Sequence, residues 1–130
     1  VDENCIVRQS EELWHQGTCS KLLKLMQGRD RPTALFASND YKALRVLRIL
    51  KQAGVLIPDE VSLVGYDDID TASLVHPALT TVHQPVDKMI ELGVKILINI
   101  IEKKAFEHGD DRNIMLKPWL VERESTERIR

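Results

Sequence analysis

Apolar runs and helix-like periodic segments alternate along the chain. Residues 33–37 and 61–64 are almost continuously apolar over a length typical of buried strands, and residues 4–8 and 79–82 are further β-rich segments. Residues 41–53 carry apolar side chains at the spacing of one helix face, namely Ala43, Val46, Leu47, Leu50 and Ala53. Continuous apolar strands separated by helices predict an α/β fold with a Rossmann-like parallel sheet flanked by helices.

Three shorter patterns complete the prediction for the sheet layer. Residues 10–28 have a helical pattern that ends near Gly28, and residues 71–75 form a short helical turn. Residues 114–123 are expected to form a bent strand, which Pro118 interrupts. These segments give the helices and strands that an open α/β sheet requires.

The most apolar helix is predicted over residues 86–104. It begins after Pro85, and Asp87 is the expected acidic cap near its amino terminus. Its Met, Ile, Leu and Val residues cover more than one stripe of the helix surface. A helix of this kind needs contacts on more than one side.

Composition and charge exclude several classes of function. The chain has 43% hydrophobic and 29% charged residues, as soluble globular proteins do, and its net charge of -2 argues against direct DNA binding. Residues 94–101, the longest mostly apolar stretch, are too short for a membrane span. Cys5 and Cys19 are expected to be reduced thiols of a cytoplasmic protein. The four histidines share no metal-ligand spacing, so no metal and no cofactor are expected.

Two short polar segments follow predicted strands and are candidates for a binding site. Ligands of open α/β sheets bind beyond the carboxyl ends of the strands, a rule that selects Asn39 and Asp67. An Asn amide both donates and accepts, and a carboxylate accepts from two hydroxyls, so this pair suits a neutral polyol. Two structural alternatives stay open: Asn39 as a helix N-cap, and Asp67 with Asp68 as a turn bonded to its own backbone.

No arrangement of residues favours catalysis. Asp67 and Asp68 are neighbours in sequence, so their side chains are expected to point in different directions rather than form an acid/base pair. The chain also lacks a nucleophile elbow, a Gly-rich phosphate loop and the spacing of zinc hydrolases. We therefore expect that the protein is not an enzyme.

Three motifs connect the chain to a known family. They are PTALFASND at residues 32–40, GVLIPDEVSLVGYDDI at residues 54–69 and PALTTVHQP at residues 77–85. In residue types, order and spacing, they resemble the corresponding segments of LacI/GalR-family transcription regulators. The resemblance is clear over about residues 32–125, and the residues before it agree only in pattern.

The resemblance implies one lobe of a type I periplasmic-binding-protein-like sensor, in which an effector binds between two Rossmann-like lobes. It implies that Asn39 and Asp67 hydrogen-bond the effector. It also implies that residues 1–84 and 112–125 form the C-terminal lobe, whereas the helix at residues 86–104 belongs to an N-terminal lobe that is otherwise absent from this chain. A homodimer contact is implied at Leu44, Arg48, Thr71, Leu74 and Val75.

The sequence is therefore interpreted as the effector-binding and dimerisation part of a cytoplasmic transcriptional repressor. The effector is expected to be a sugar or a similar small polar metabolite, and operator DNA is contacted only through a separate head domain. One alternative is the sugar-binding protein of an ABC-type transporter, which shares the fold, and another is a sugar-modifying enzyme. The second and third motifs favour the regulator.

Overall fold

A four-stranded sheet forms the centre of the structure, a computed structural model that describes residues 6–7, 19–102 and 114–128. Its strands are β1 (Ala34–Phe36), β2 (Ser62–Asp67), β3 (Thr80–His83) and β4 (Trp119–Val121). They lie side by side in the order of the sequence. Strands β1, β2 and β3 are parallel, and β4 is antiparallel to β3.

The predicted α/β fold is confirmed, with two corrections to the strands. Strand β4 is shorter than the predicted segment 114–123 and departs from the parallel arrangement expected of the sheet. Strand β2 is longer than predicted, because it continues through Gly65 to Asp67. A strand is parallel or antiparallel to its neighbour depending on the end of the sheet at which the preceding segment arrives. The apolar pattern of the strand does not contain this information.

The described residues contain four α-helices. They are α1 (Ser20–Gln27), α2 (Asp40–Gln52), α3 (Thr71–Leu74) and α4 (Val86–Ile101). Helix α1 ends before Gly28 and α2 begins after Asn39, as predicted. Gly54 follows α2 with a φ of 77°, a conformation that glycine adopts without steric cost. The start of the helix predicted at residues 10–28 and most of the strand predicted at residues 4–8 lie outside the described residues.

The hydrophobic core is one cluster to which α1, α2, α3, strand β2 and residues next to β1, β2 and β3 contribute. Four residues of the predicted α2 stripe are buried, whereas Ala53 follows the last residue of the helix and is exposed. Burying one Leu side chain stabilises a fold by roughly 1.5–3 kcal/mol relative to leaving it exposed. Cys19 is a buried free thiol, and Cys5 lies outside the described residues. The core includes Leu22, Met26, Ala43, Val46, Leu47, Leu50, Val61, Leu63 and Leu79.

Helix α4 differs from the other helices because none of its residues is buried. Leu97 is 60% exposed and Ile101 is 77% exposed. Asp87 lies in the first turn, but Pro85 occupies the N-cap position. None of the described helices is both long enough and apolar enough to cross a membrane. The assignment of this helix to a second lobe stays a prediction.

Candidate functional site

The two candidate ligand-binding residues lie at the same edge of the sheet. Strands β1 and β2 are paired with Phe36 opposite Val64, and Asn39 and Asp67 each come three residues after that pair. Both strands are parallel, so both residues lie at carboxyl ends, where ligands of open α/β sheets bind. Both side chains are partly exposed.

Gly65 lies just beyond the predicted strand segment 61–64, but it belongs to β2 and pairs with Thr81 in the middle of the sheet. A Cβ atom at Gly65 would overlap the Oδ1 atom of Asp40 and would lie 3.0 Å from Leu79 Cδ2. The glycine therefore permits a close approach of another side chain, which is one reason for glycine inside a strand. Asp67 is the last residue of the strand.

Asn39 caps helix α2. Its backbone is extended, and its Oδ1 atom accepts a hydrogen bond of 2.9 Å from the backbone N–H of Lys42. An N-cap of this kind contributes about 1 kcal/mol to helix stability. The capping bond uses only Oδ1, so it does not occupy the Nδ2 donor. The structural alternative for Asn39 is thus confirmed, and it is compatible with a contact to a ligand.

Asp67 adopts an unusual backbone conformation at the end of β2. Its φ is 118° and that of the following Asp68 is 59°, whereas residues with a side chain seldom have positive φ. Residues held in such conformations cluster at binding and catalytic sites. The Oδ1 atom of Asp67 accepts a hydrogen bond of 2.6 Å from Gln84 Nε2, and this partner lies beyond strand β3 rather than on the turn's own backbone.

Asp68 has different partners, as expected of neighbouring side chains. Arg123 Nη2 donates a hydrogen bond of 2.7 Å to Asp68 Oδ1, and His83 Nδ1 lies 2.8 Å from Asp68 Oδ2. Burial alone would raise the pKa of Asp68, but the hydrogen bonds with Arg123 and His83 outweigh it and hold that pKa below its ordinary value of 3.8. Asp68 is therefore an ionised structural carboxylate that connects β2 to the segment after β4.

An aromatic stack borders this ion pair. The rings of His83 and Trp119 lie 4.1 Å apart with an angle of 28° between their planes. The two residues are opposite each other in the β3–β4 pair, and the Trp119 side chain is 51% exposed. The stack keeps the His83 ring beside Asp68.

Three of these residues were not predicted from the sequence. Gln84 directly follows β3, so the rule that selected Asn39 and Asp67 would also have selected Gln84. His83 and Arg123 have no comparable local signal, because their contact with Asp68 joins positions 15 and 55 residues apart. No group of His, Cys, Asp and Glu side chains within the described ranges could hold a metal ion.

The residues of the expected dimer contact divide into two environments. Arg48 and Thr71 are exposed and Leu74 is 79% exposed, whereas Leu44 and Val75 are half-buried and pack against the core. A hydrogen bond of 3.0 Å from Lys51 Nζ to the His76 carbonyl brings the end of α2 next to the segment after α3. This hydrogen bond links α2 to the segment after α3, and the dimer contact stays a prediction.

Known proteins resemble the chain over most of its length. A family model described as a periplasmic binding protein-like domain matches residues 3–126. The HTH-type transcriptional repressor PurR of Aliivibrio salmonicida is 36% identical over 106 residues, which are 82% of this chain and 31% of that protein. The ribose operon repressor of Escherichia coli is 40% identical over 95 residues, which are 73% of this chain and 28% of that protein.

A solved structure shows the same fold. The periplasmic binding protein/LacI transcriptional regulator of Alkaliphilus metalliredigens, in complex with D-xylulofuranose, has a TM-score of 0.76 and 27% identity to this chain. The match covers 93% of this chain and 43% of that one.

The chain thus belongs to the periplasmic binding protein-like domain family. Within it, the relatives confirm the resemblance to the effector-binding domains of LacI-family transcriptional regulators. The chain spans only 31% and 28% of the two repressors' own lengths.

Proposed function

We propose that this chain is the effector-sensing part of a transcriptional repressor, and that Asn39 and Asp67 bind the hydroxyl groups of a sugar. The observation that supports this most is the position of the two residues at the carboxyl ends of neighbouring parallel strands, each three residues after the Phe36–Val64 pair. One side chain retains an amide donor and the other is a carboxylate that accepts hydrogen bonds.

The chemistry of the pair favours a hydroxyl-rich ligand over a charged one. Asn39 keeps Nδ2 as a donor after capping α2, and the Gln84 hydrogen bond occupies one lone pair of Asp67. Vicinal hydroxyls of a sugar can donate to the carboxylate and accept from the amide at once. The D-xylulofuranose complex of the related regulator and the name of the ribose operon repressor favour a pentose as the first ligand to test.

The relatives favour a repressor over a transporter component. Both curated relatives described above are repressors, which also argues against a sugar-modifying enzyme. In this proposal a separate head domain binds operator DNA in the cytoplasm, and no contact of this chain with DNA is required.

Signal transmission would use two further surfaces. We propose that the exposed apolar residues of α4 pack against a second lobe, and that Leu44, Arg48, Thr71, Leu74 and Val75 form a homodimer contact. An effector that prefers one arrangement of the lobes shifts the equilibrium between arrangements, and the dimer passes that shift to the head domain.

Calorimetric titration of the full-length regulator with D-ribose and with D-xylulose tests the proposal. Asp67→Ala is expected to weaken pentose binding at least about tenfold, the change that corresponds to roughly 1.4 kcal/mol. Operator binding without effector is expected to be unchanged. Asp59→Ala is the control, since Asp59 is an exposed aspartate that precedes the amino end of β2.

A conservative variant separates ligand binding from capping at Asn39. Asn39→Asp keeps an oxygen that caps α2 but removes the Nδ2 donor. Weaker pentose binding with unchanged helix content supports a direct contact. Binding of neither pentose by the wild-type regulator, or equal binding by wild type and Asp67→Ala, contradicts the proposal.

A further inference from the structure

Asp40 is a fully buried carboxylate at the first position of α2. It directly follows Asn39, and its side chain is 0% exposed. Aspartate is almost never buried to this degree unless its oxygens have partners, because removing an ionised carboxylate from water is costly. The position of Asp40 therefore depends on the groups that surround it.

The carboxylate of Asp40 connects three parts of the fold. Thr81 Oγ1, in the middle of β3, donates a hydrogen bond of 2.6 Å to Asp40 Oδ1. The backbone N–H of Ile69, just before α3, donates a bond of 3.0 Å to Asp40 Oδ2. Between these contacts, Oδ1 lies against the backbone of Gly65 in β2, where a side chain would overlap it.

Both candidate ligand-binding residues are linked to this carboxylate, Asn39 through the backbone and Asp67 through the nearby Ile69 N–H. Asn39 is its covalent neighbour, and Ile69 follows the turn of Asp67 and Asp68, whose φ angles are positive. A turn in that conformation persists only when surrounding contacts hold it. The Asp40–Ile69 bond is a contact of this kind, and it also ties the turn to the amino end of α2.

We propose that Asp40 is a positioning residue, which holds Asn39 and the Asp67–Asp68 turn in a fixed relation and thereby sets the affinity for the effector. The effect on affinity rests on the function proposed above, whereas the effect on the turn does not. Small displacements of binding groups are costly, because hydrogen bonds weaken steeply with distance and angle. Asp40 would thus control binding without contacting the ligand.

Amide hydrogen exchange of the full chain without ligand provides the first test. Asp40→Ala removes both acceptors, so exchange at the Ile69 amide is expected to accelerate at least about tenfold, since that amide loses its bond. Exchange at the Lys42 amide, which Asn39 caps, is expected to accelerate as well. The Ala53 amide at the far end of α2, bonded to the Ile49 carbonyl, is the internal control and is expected to stay protected.

The isosteric variant separates positioning from general stability. In Asp40→Asn the side-chain oxygen still accepts from Ile69 and the new amide donates to Thr81 Oγ1, so wild-type exchange at Ile69 and Lys42 is expected. Equal acceleration at Ile69, Lys42 and Ala53 in Asp40→Ala would mean a general loss of stability and would overturn the proposal. Unchanged exchange at Ile69 would overturn it too.

A second pair of variants applies if Asp40→Ala does not fold. Thr81→Val removes the hydroxyl that bonds Asp40, whereas Thr80→Val removes the hydroxyl of an equally buried neighbour that bonds Thr126 and Arg123 instead. Faster exchange at Ile69 is expected in Thr81→Val and not in Thr80→Val. Equal effects of the two substitutions would contradict the role of Asp40.

Titration of the full-length regulator with D-ribose and D-xylulose tests the effect on affinity. At least about tenfold weaker binding is expected in Asp40→Ala, with recovery in Asp40→Asn, as for a misplaced binding group. In an Asn39→Ala, Asp67→Ala background the additional loss from Asp40→Ala should be much smaller. If Asp40→Ala weakens pentose binding in that background as much as it does alone, Asp40 does not act through these two residues and the proposal is overturned. If the wild type binds neither pentose, the proposed function fails, and the exchange experiment still decides the role of Asp40 in the turn.

Discussion

Helices α2 and α4 each follow a parallel strand, yet α2 packs into the core and α4 does not. Helix α2 has six buried residues among its 13, including Leu47 and Leu50. Helix α4 has 16 residues, is richer in isoleucine and valine, and has no buried residue. The more apolar of the two helices is therefore the one that lies outside the core.

The difference shows that apolar content and burial are separate properties. Apolar side chains lower the free energy only when another surface removes them from water. The α2 stripe meets α1 and the sheet in one cluster, whereas Ile90, Val94 and Leu97 of α4 are each about half exposed or more. An apolar patch of this extent marks an interaction surface. The proposal of a second lobe supplies the surface that α4 needs.

The largest effect is expected from the same substitution placed in the two helices. Leu50→Ala removes a side chain that is 0% exposed and should lower the free energy of unfolding by about 2–5 kcal/mol. Leu97→Ala removes one that is 60% exposed and should change the free energy by about 0.5 kcal/mol or less. Urea unfolding of the full chain measures both. Similar losses in the two variants would show that a partner, such as a second copy, covers α4 in solution.

A smaller effect is expected at the polar end of the sheet. Arg123→Met leaves Asp68, whose side chain is 15% exposed, without its main partner. The substitution should lower the free energy of unfolding by about 1–3 kcal/mol at pH 7. Because the pKa of Asp68 is lowered, its ionised form contributes stability above the ordinary value of 3.8, and this contribution is lost as the pH falls through the lowered pKa. The difference in the free energy of unfolding between wild type and Arg123→Met should therefore become smaller at acidic pH.

Unfolding curves measured from pH 7 down to about pH 3 would show this narrowing. Arg31→Met is the control, because the Arg31–Glu60 ion pair is more exposed, with side chains 43% and 31% exposed, and contributes less. If the free energy of unfolding of the wild type exceeds that of Arg123→Met by the same amount across this pH range, the assignment of an ionised Asp68 is contradicted.

The smallest effect is a gain in stability on α4. A Cβ atom at Gly93 would meet nothing within 4 Å, so Gly93→Ala should raise the free energy of unfolding of this chain by about 0.5–1 kcal/mol through helix propensity. Gly65→Ala should lower it, because the added methyl group would overlap the Asp40 carboxylate. Thermal unfolding compares the two variants. Destabilisation by Gly93→Ala would indicate a surface packed against α4.

Much of the fold could be predicted from local patterns. The strand at residues 33–37, the helix after Asn39 and the short turn before Pro77 are close to the observed elements, because their signals are apolar runs and capping residues. The prediction was wrong where one residue type occurs in two different structural contexts. The strand predicted at residues 61–64 continues through Gly65, which is a position of close packing inside the strand.

The candidate site was predictable only in part. Asn39 and Asp67 were selected because a strand end is visible in the sequence, and Gln84 could have been selected by the same rule. Asp40 gave no separate signal, since an acidic residue at the start of a helix is common on exposed surfaces. Its burial results from Thr81 and Ile69, which are 41 and 29 residues away in the chain.

Periodicity and turn chemistry in the sequence determined the helices, the strands and the alternation that forms an α/β layer, because these depend on residues within a few positions of each other. The tertiary structure decided which apolar face became core, the antiparallel direction of β4, the positive φ of Asp67 and the pairing of Asp68 with Arg123. Each of those depends on groups that are distant in the chain and become neighbours only when the sheet assembles. Contacts of that kind fix the geometry of a binding site, and local patterns do not contain them.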